Sequence, residues 1–198
     1  MAKIRTFVAV DVSGAVQSLA DKTIGQLQPI AGDYRWSKNE NFHLTTNFTG
    51  DIHEREVPEL CACIKKACSG FSEFALEFGG LGAFPRPDRP RVLWLGVQEG
   101  REELCQLQQA LAERLFDDMG FPPDRNDYNP HLTLGRLNHS NGWKPELLNC
   151  FSEEHAQSAP TATSFVDEVI VYSSYREKSG PTYTPMATIE LGLSLIHI

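Results

Sequence analysis

A chain of 198 residues, 41% hydrophobic and 22% charged, has the size and composition of one large globular domain or of two small lobes sharing a core. Its formal net charge of −8 argues against a broad surface for coating duplex DNA or anionic membrane, while leaving room for a local basic groove. No apolar run approaches the roughly 20 residues that span a bilayer, and the run that opens the chain is interrupted at Asp11, too early for a signal-peptide core.

Arg5 to Val12 is β-branched and almost wholly apolar, the pattern of a central strand buried on both faces. Ser13 is placed to cap a helix over Ala15–Leu27, whose Val16, Leu19, Ala20, Ile24 and Leu27 form one stripe. Pro29 and Gly32 are expected to end it. A short strand over Tyr34–Trp36 leads through a turn to a strand over His43–Phe48, which Gly50 and Asp51 break. A second helix is predicted over His53–Cys68, then an alternating strand over Glu73–Phe78 and a glycine-rich link. The proline-rich loop Phe84–Pro90 is the candidate boundary between lobes, and its Arg86 and Arg89, with Arg91, offer a site for a small charged ligand. Arg91–Val97 reads as a buried strand and Arg101–Met119 as a long helix with Leu104, Leu107, Leu111 and Leu115 inward. A polar loop leads to a strand over His131–Leu137, with Arg125 and Arg136 on either side of its histidine. A short helix near Lys144–Phe151, then strands over Ser164–Tyr172 and Thr182–Leu191 joined by a turn around Lys178–Pro181, complete the pattern. Residues 194–198 read as a tail, and His197 takes no role.

Five cysteines, an odd count with no secretory signal, fit free thiols in a reducing, cytoplasmic setting. Cys61, Cys63 and Cys68 fall on a predicted helix at a spacing that matches no common zinc site.

The order strand, helix, loop, His-Leu-Thr strand occurs twice, which suggests an internal duplication with units at roughly 5–83 and 91–191 in a single domain. In a strand, residues two apart share a face, so His43 goes with Thr45 and His131 with Thr133, while Leu44 and Leu132 turn inward. Two imidazoles can divide labour near neutral pH, one as base and one as acid. Two hydroxyls can donate to a non-bridging phosphate oxygen, where charge gathers during displacement. Zinc is the rival chemistry for two histidines, but a catalytic zinc recruits a third ligand, and Asp51 and Asp127 are expected in loops.

The paired motifs His43-Leu44-Thr45-Thr46 and His131-Leu132-Thr133-Leu134 resemble the His-x-Thr-x signatures of the 2H phosphoesterase superfamily. The similarity extends to its RNA 2′,3′-cyclic phosphodiesterase (2′-5′ RNA ligase) branch through Arg5–Asp11, Arg91–Gly96, Tyr172–Ser174 and Tyr183–Pro185. The resemblance implies an α+β fold of two pseudo-symmetric lobes, each an antiparallel sheet with helices outside, the sheets lining a central cleft. It implies metal-independent opening of RNA 2′,3′-cyclic phosphate ends to 2′-phosphates, with no cofactor, and 2′-5′ ligation in reverse. RNA with such an end, tRNA fragments included, is the implied partner of a monomer. By similarity His131 is the proton acceptor, His43 the proton donor, Thr45 and Thr133 grip the phosphate, and Arg136 contacts it. Strict alternation turns Arg136 away from the cleft; it reaches only if the strand bulges or ends at Gly135. Thr46, Asn47 and Thr49 depart from the family pattern and bear on substrate preference and packing. Phe48 and Tyr128 are candidates for stacking a base; Trp36 and Trp94 are expected in the core, and His53, His139 and His155 on the surface. A 2H enzyme for a small nucleotide cyclic phosphate, or an idle RNA-binding module, are the alternatives.

Overall fold

The computed structural model describes residues 3–124, 126–139, 142–152, 159–177 and 180–192. Arg125, His155, His197, Lys178, Ser179 and the 194–198 tail lie outside the described residues.

The apolar opening run forms β1 (Lys3–Asp11), buried from Thr6 to Val10. Ser13 caps α1 (Gly14–Ala31), its hydroxyl accepting from the Val16 amide and donating to the Thr163 carbonyl. Pro29 does not stop α1 but lies within its last turn; Gly32, at φ 98°, ends it. After β2 (Tyr34–Trp36), β3 runs over His43–His53, through the glycine expected to break it. A 3-10 turn at Glu54–Glu56 then leads into α2 (Val57–Cys68), so the second helix starts later than its periodicity suggested. Next come β4 (Phe74–Arg86), β5 (Arg89–Glu99), α3 (Arg101–Met119) and β6 (His131–Leu137). Pro145–Phe151 is a 3-10 helix, followed by β7 (Ala162–Val166), β8 (Glu168–Glu177) and β9 (Gly180–Glu190).

The strands form two antiparallel sheets, in the orders β3-β1-β8-β9 and β2-β6-β5-β4-β7. The expected α+β architecture is present, but the sheets are not drawn from successive halves of the chain. Strand β4, from the first sequence unit, pairs in the second sheet, while β8 and β9, from the last, complete the first. The Phe84–Pro90 segment is therefore not a lobe boundary: Pro85 pairs with Pro90 and Arg86 with Arg89 at the tip of one hairpin. The expected Ser164–Tyr172 strand is two, one in each sheet, with Asp167 at the crossing.

The registers of the motif strands match. Ala9 opposes Thr45 as Trp94 opposes Thr133, and Asp11 opposes His43 as Gly96 opposes His131. Thus β1 and β5 are mates, as are β3 and β6. This alignment puts Phe7 with Val92, because Phe7 opposes Phe48 and Val92 opposes Arg136, each five residues after its histidine. It differs by one position from the alignment of Arg5 with Arg91 that the spacing suggested. The second sheet carries one strand more, β2, on the free side of β6. Helix α1 packs on β7, β2 and β6, and α2 and α3 pack together against β9, β3 and β5. One cluster of buried side chains runs through both sheets, from Val8 and Leu44 to Leu93, Leu132 and Val171. Among the described residues no helix is long and apolar enough to cross a membrane.

Candidate active site

Each motif strand carries a bulge immediately after its threonine. Val8 and Ala9 are neighbours on β1, yet they oppose Asn47 and Thr45, leaving Thr46 extra. Leu93 and Trp94 oppose Gly135 and Thr133, leaving Leu134 extra. An extra residue reverses the alternation of everything beyond it. Both strands accordingly show two consecutive buried residues after the threonine and then an exposed one, Phe48 or Arg136. This is the bulge that Arg136 requires, and Arg136 lines the same cleft as both histidines and both threonines. Thr46 is buried at 2% exposure, its hydroxyl donating to the Val8 carbonyl at 3.1 Å. Asn47 is also buried and donates to the Gln108 carbonyl of α3 at 3.5 Å, its own Oδ1 lacking a partner among the described residues.

The histidines are fixed alike. Nδ1 of His43 lies 2.9 Å from the Asn41 carbonyl, and Nδ1 of His131 lies 2.7 Å from the Asn129 carbonyl. A carbonyl only accepts, so each Nδ1 carries the proton and each neutral ring keeps its lone pair on Nε2. Nε2 of His43 lies 3.1 Å from Thr45 Oγ1 and accepts from that hydroxyl. Aromatic rings wall both imidazoles. Around His43 stand Phe7, with centroids 5.0 Å apart, Tyr183 edge-on at 5.0 Å, and Tyr172 at 5.9 Å. Around His131 stand Phe84 edge-on at 4.9 Å and Trp94 at 6.0 Å. Tyr172 is itself held by a 2.6 Å bond from its hydroxyl to Asp11.

Burial in these aromatic walls disfavours the imidazolium. It takes His43 down to about 4, against the bond to the Asn41 carbonyl, and the charges of Arg136 and His131 push the same way. His131 is lowered too, by burial first and by Arg136 second, again against its carbonyl bond. Both rings are therefore neutral at pH 7 when the cleft holds no anion, which differs from a resting pair of one neutral and one charged imidazole.

The cleft has a volume of about 1630 Å³, larger than the roughly 300–1,000 Å³ of a small-molecule pocket. Phe48, 60% exposed, lies on its wall, and Phe116 and Gln109 of α3 extend it on one side. Tyr128 also lines the cleft, half-buried, and its hydroxyl donates to the Thr45 carbonyl at 3.1 Å, which ties it to β3. Trp36 reaches the cleft wall and is not purely core. Arg89 and Arg91 line a separate pocket at the β4–β5 hairpin, and Arg86 pairs with Asp88 at 3.1 Å; these arginines do not join the histidines. His139 is exposed, 4.0 Å from Asp33, whereas His53 is only half-exposed with a buried Nδ1. Cys63 and Cys68 are buried in α2, and burial pushes the Cys68 thiol up to about 12. Among the described residues no three His, Cys, Asp or Glu side chains gather to hold a metal ion. Arg5, Arg35 and Tyr183 also line the cleft; local sequence pattern did not mark them as site residues, because only the pairing of distant strands brings them there.

Two imidazole–hydroxyl pairs thus stand on matched strands and face one cleft lined by two antiparallel sheets. A family model of the 2′-5′ RNA ligase superfamily matches residues 16–177, and the chain belongs to that superfamily. It is 34% identical over 160 residues to an RNA 2′,3′-cyclic phosphodiesterase of Aeropyrum pernix, covering 79% of this chain and 86% of the relative. A relative of the same description from Methanothermobacter thermautotrophicus is 32% identical over 189 residues, covering 96% of this chain and all of the relative. In fold, the chain is similar to the TT0787 protein of Thermus thermophilus, with a TM-score of 0.77 at 21% identity over 95% of this chain and 98% of that one. Apo LigT of E. coli matches with a TM-score of 0.69 at 20% identity, over 98% of this chain and 100% of that one.

Proposed function

We propose that this protein hydrolyses RNA 2′,3′-cyclic phosphate ends to 2′-phosphates by acid–base catalysis between His43 and His131, without a metal. The observation that carries this reading is the pair of Nε2 lone pairs turned into one cleft by matching Nδ1–carbonyl bonds. Its relatives' activity as RNA 2′,3′-cyclic phosphodiesterases supports the substrate.

In this reaction the cyclic phosphate sits between the rings, held by Thr45, Thr133 and Arg136. Its negative charge offsets Arg136, which favours protonation of an imidazole on binding. His131, whose Nε2 accepts no hydrogen bond among the described residues, takes a proton from water as the water oxygen bonds to phosphorus. The bond from phosphorus to the 3′-oxygen breaks, and His43 delivers the proton from Nε2 to that oxygen. Thr45 no longer donates to Nε2 once that nitrogen is protonated, and turns its hydroxyl proton to the phosphate. The products are a 2′-phosphate and a 3′-hydroxyl, and transfer of the proton from His131 back to His43 resets the site. A 5′-hydroxyl in place of water gives a 2′-5′ linkage by the same steps. We further propose a monomer acting in a reducing cytoplasm on RNA fragments such as those of tRNA.

The test offers an RNA oligomer with a 2′,3′-cyclic phosphate end, beside a mononucleotide with the same end, in excess chelator. Turnover to a 2′-phosphate, lost in His43→Ala and in His131→Ala, is the expected result. Loss in chelator restores the zinc reading; binding without turnover points to an idle RNA-binding module; strong preference for the mononucleotide points to a small-nucleotide enzyme.

A further inference from the structure

Strand β2 has no mate in the first sheet, so whatever it contributes is where the cleft departs from twofold symmetry. Its central residue is Arg35, and Arg35 lies directly opposite Arg136 in the β2–β6 ladder. Like charges facing each other across an antiparallel pair oppose the pairing. Neither guanidinium has an ion-pair or hydrogen-bond partner among the described residues, and both line the cleft. The strand is nevertheless pinned. Tyr34 donates from its hydroxyl to the Pro90 carbonyl at 2.8 Å, and Ser37 bonds the Leu134 carbonyl through its amide and the Thr133 carbonyl through its hydroxyl, each at 2.8 Å. Arg5 lines the cleft as well, and the charges of Arg136, Arg35 and Arg5 all bear on the Tyr183 hydroxyl. Three arginines, Arg5 on the first sheet and Arg35 and Arg136 on the second, thus line one cleft in a protein of net charge −8.

Arg136 already stands with both histidines and both threonines at the cleft. We propose that Arg35 forms a second anion subsite beside Arg136, which takes the phosphate on the 5′ side of the terminal nucleotide and so distinguishes an RNA end from a bare nucleoside cyclic phosphate. A guanidinium suits a phosphodiester because its donors are planar and paired. The repulsion between Arg35 and Arg136 is relieved when both are occupied by adjacent phosphates of one strand. This proposal rests on the cyclic phosphodiesterase reading and adds the feature that reads the chain.

Three substrates test it: adenosine 2′,3′-cyclic phosphate, the same nucleotide with a 5′-phosphate, and a dinucleotide with a 2′,3′-cyclic end. The dinucleotide is expected to exceed the first in kcat/KM by about tenfold, the scale of one charge-assisted hydrogen bond. Arg35→Gln is expected to collapse that preference to near unity, with Arg35→Lys restoring part of it. The 5′-phosphorylated nucleotide separates the sources: a gain equal to the dinucleotide's assigns the subsite to any 5′-phosphate, and a gain confined to the dinucleotide assigns it to a phosphodiester. Because Arg35→Gln also removes a like-charge contact, its melting temperature should be no lower than wild type; a lower one, with all three substrates losing the same factor, makes Arg35 structural and overturns the proposal. An unchanged preference in Arg35→Gln overturns it too. Wild-type protein inert on all three substrates instead overturns the phosphodiesterase reading, and the subsite falls with it.

Discussion

His43 and His131 are set to be neutral by burial among aromatic rings, and this has consequences that can be measured. If His43 is the acid, kcat/KM should decline as pH rises above about 4, the value to which burial takes the free ring. In the complex a bound phosphate anion favours the imidazolium, so the corresponding limb of kcat should lie at higher pH. His43→Ala should remove that limb and His131→Ala the opposite one, each lowering kcat by roughly 10²–10⁴; profiles for both variants check this. Stability should follow the same ring. An unfolded histidine titrates near 6.5 and His43 near 4, so between those values the unfolded state binds more protons. The contribution of His43 is whole above pH 6.5 and is lost as pH falls toward 4, by at most about 3 kcal/mol. Denaturant melts across that window should show a shallower slope in His43→Asn.

The strands show how far pattern can be read and where it stops. Helix α3 and strand β6 have the bounds their periodicity indicated, Arg101–Met119 and His131–Leu137, because one buried stripe and one buried face define them. Strand β4 was legible only in its first half, since Gly79, Gly80 and Gly82 read as a link. Gly82 is in the strand for a reason outside it: it opposes Trp94, and a Cβ there would come within 2.1 Å of the Trp94 ring. Gly82→Ala should therefore displace the indole that stands beside His131, costing about 1–3 kcal/mol. A thermal melt measures the loss, and a parallel fall in kcat with changed tryptophan fluorescence ties it to the site. The histidines and threonines were legible because alternation places them within one motif. The approach of Arg136 was conditional on a bulge, and a bulge is a relation between two strands that neither strand spells out alone. Arg35 was illegible for a similar reason, as its significance lies in the residue opposite.

At the scale of the molecule, net charge conceals what the cleft does with its own. In a chain of net charge −8, Arg5 from the first sheet and Arg35 and Arg136 from the second line one cleft, whose rim also carries Glu40, Glu113, Asp124 and Asp127, so the arginines offer an anionic strand local positive charge. RNA cleavage should therefore weaken with added salt more than cleavage of a mononucleotide, by a slope of about 0.7 per extra phosphate held in a plot of log kcat/KM against log salt. Measuring both substrates between low and physiological salt gives that slope; equal slopes would remove the strand from the picture.

The exchange of strands between sheets also governs how the molecule comes into being. Strand β1 pairs on one side with β3 and on the other with β8, as in the Thr6–Ser173 and Val8–Val171 pairs. The second sheet needs nothing beyond β7, but the first waits for β8 and β9. During synthesis, then, the wall bearing His131 can close while the wall bearing His43 is still only the β1–β3 pair. The two histidines that look like equal halves of a duplication thus stand on sheets completed at different points along the chain, one with β7 and the other only with β9.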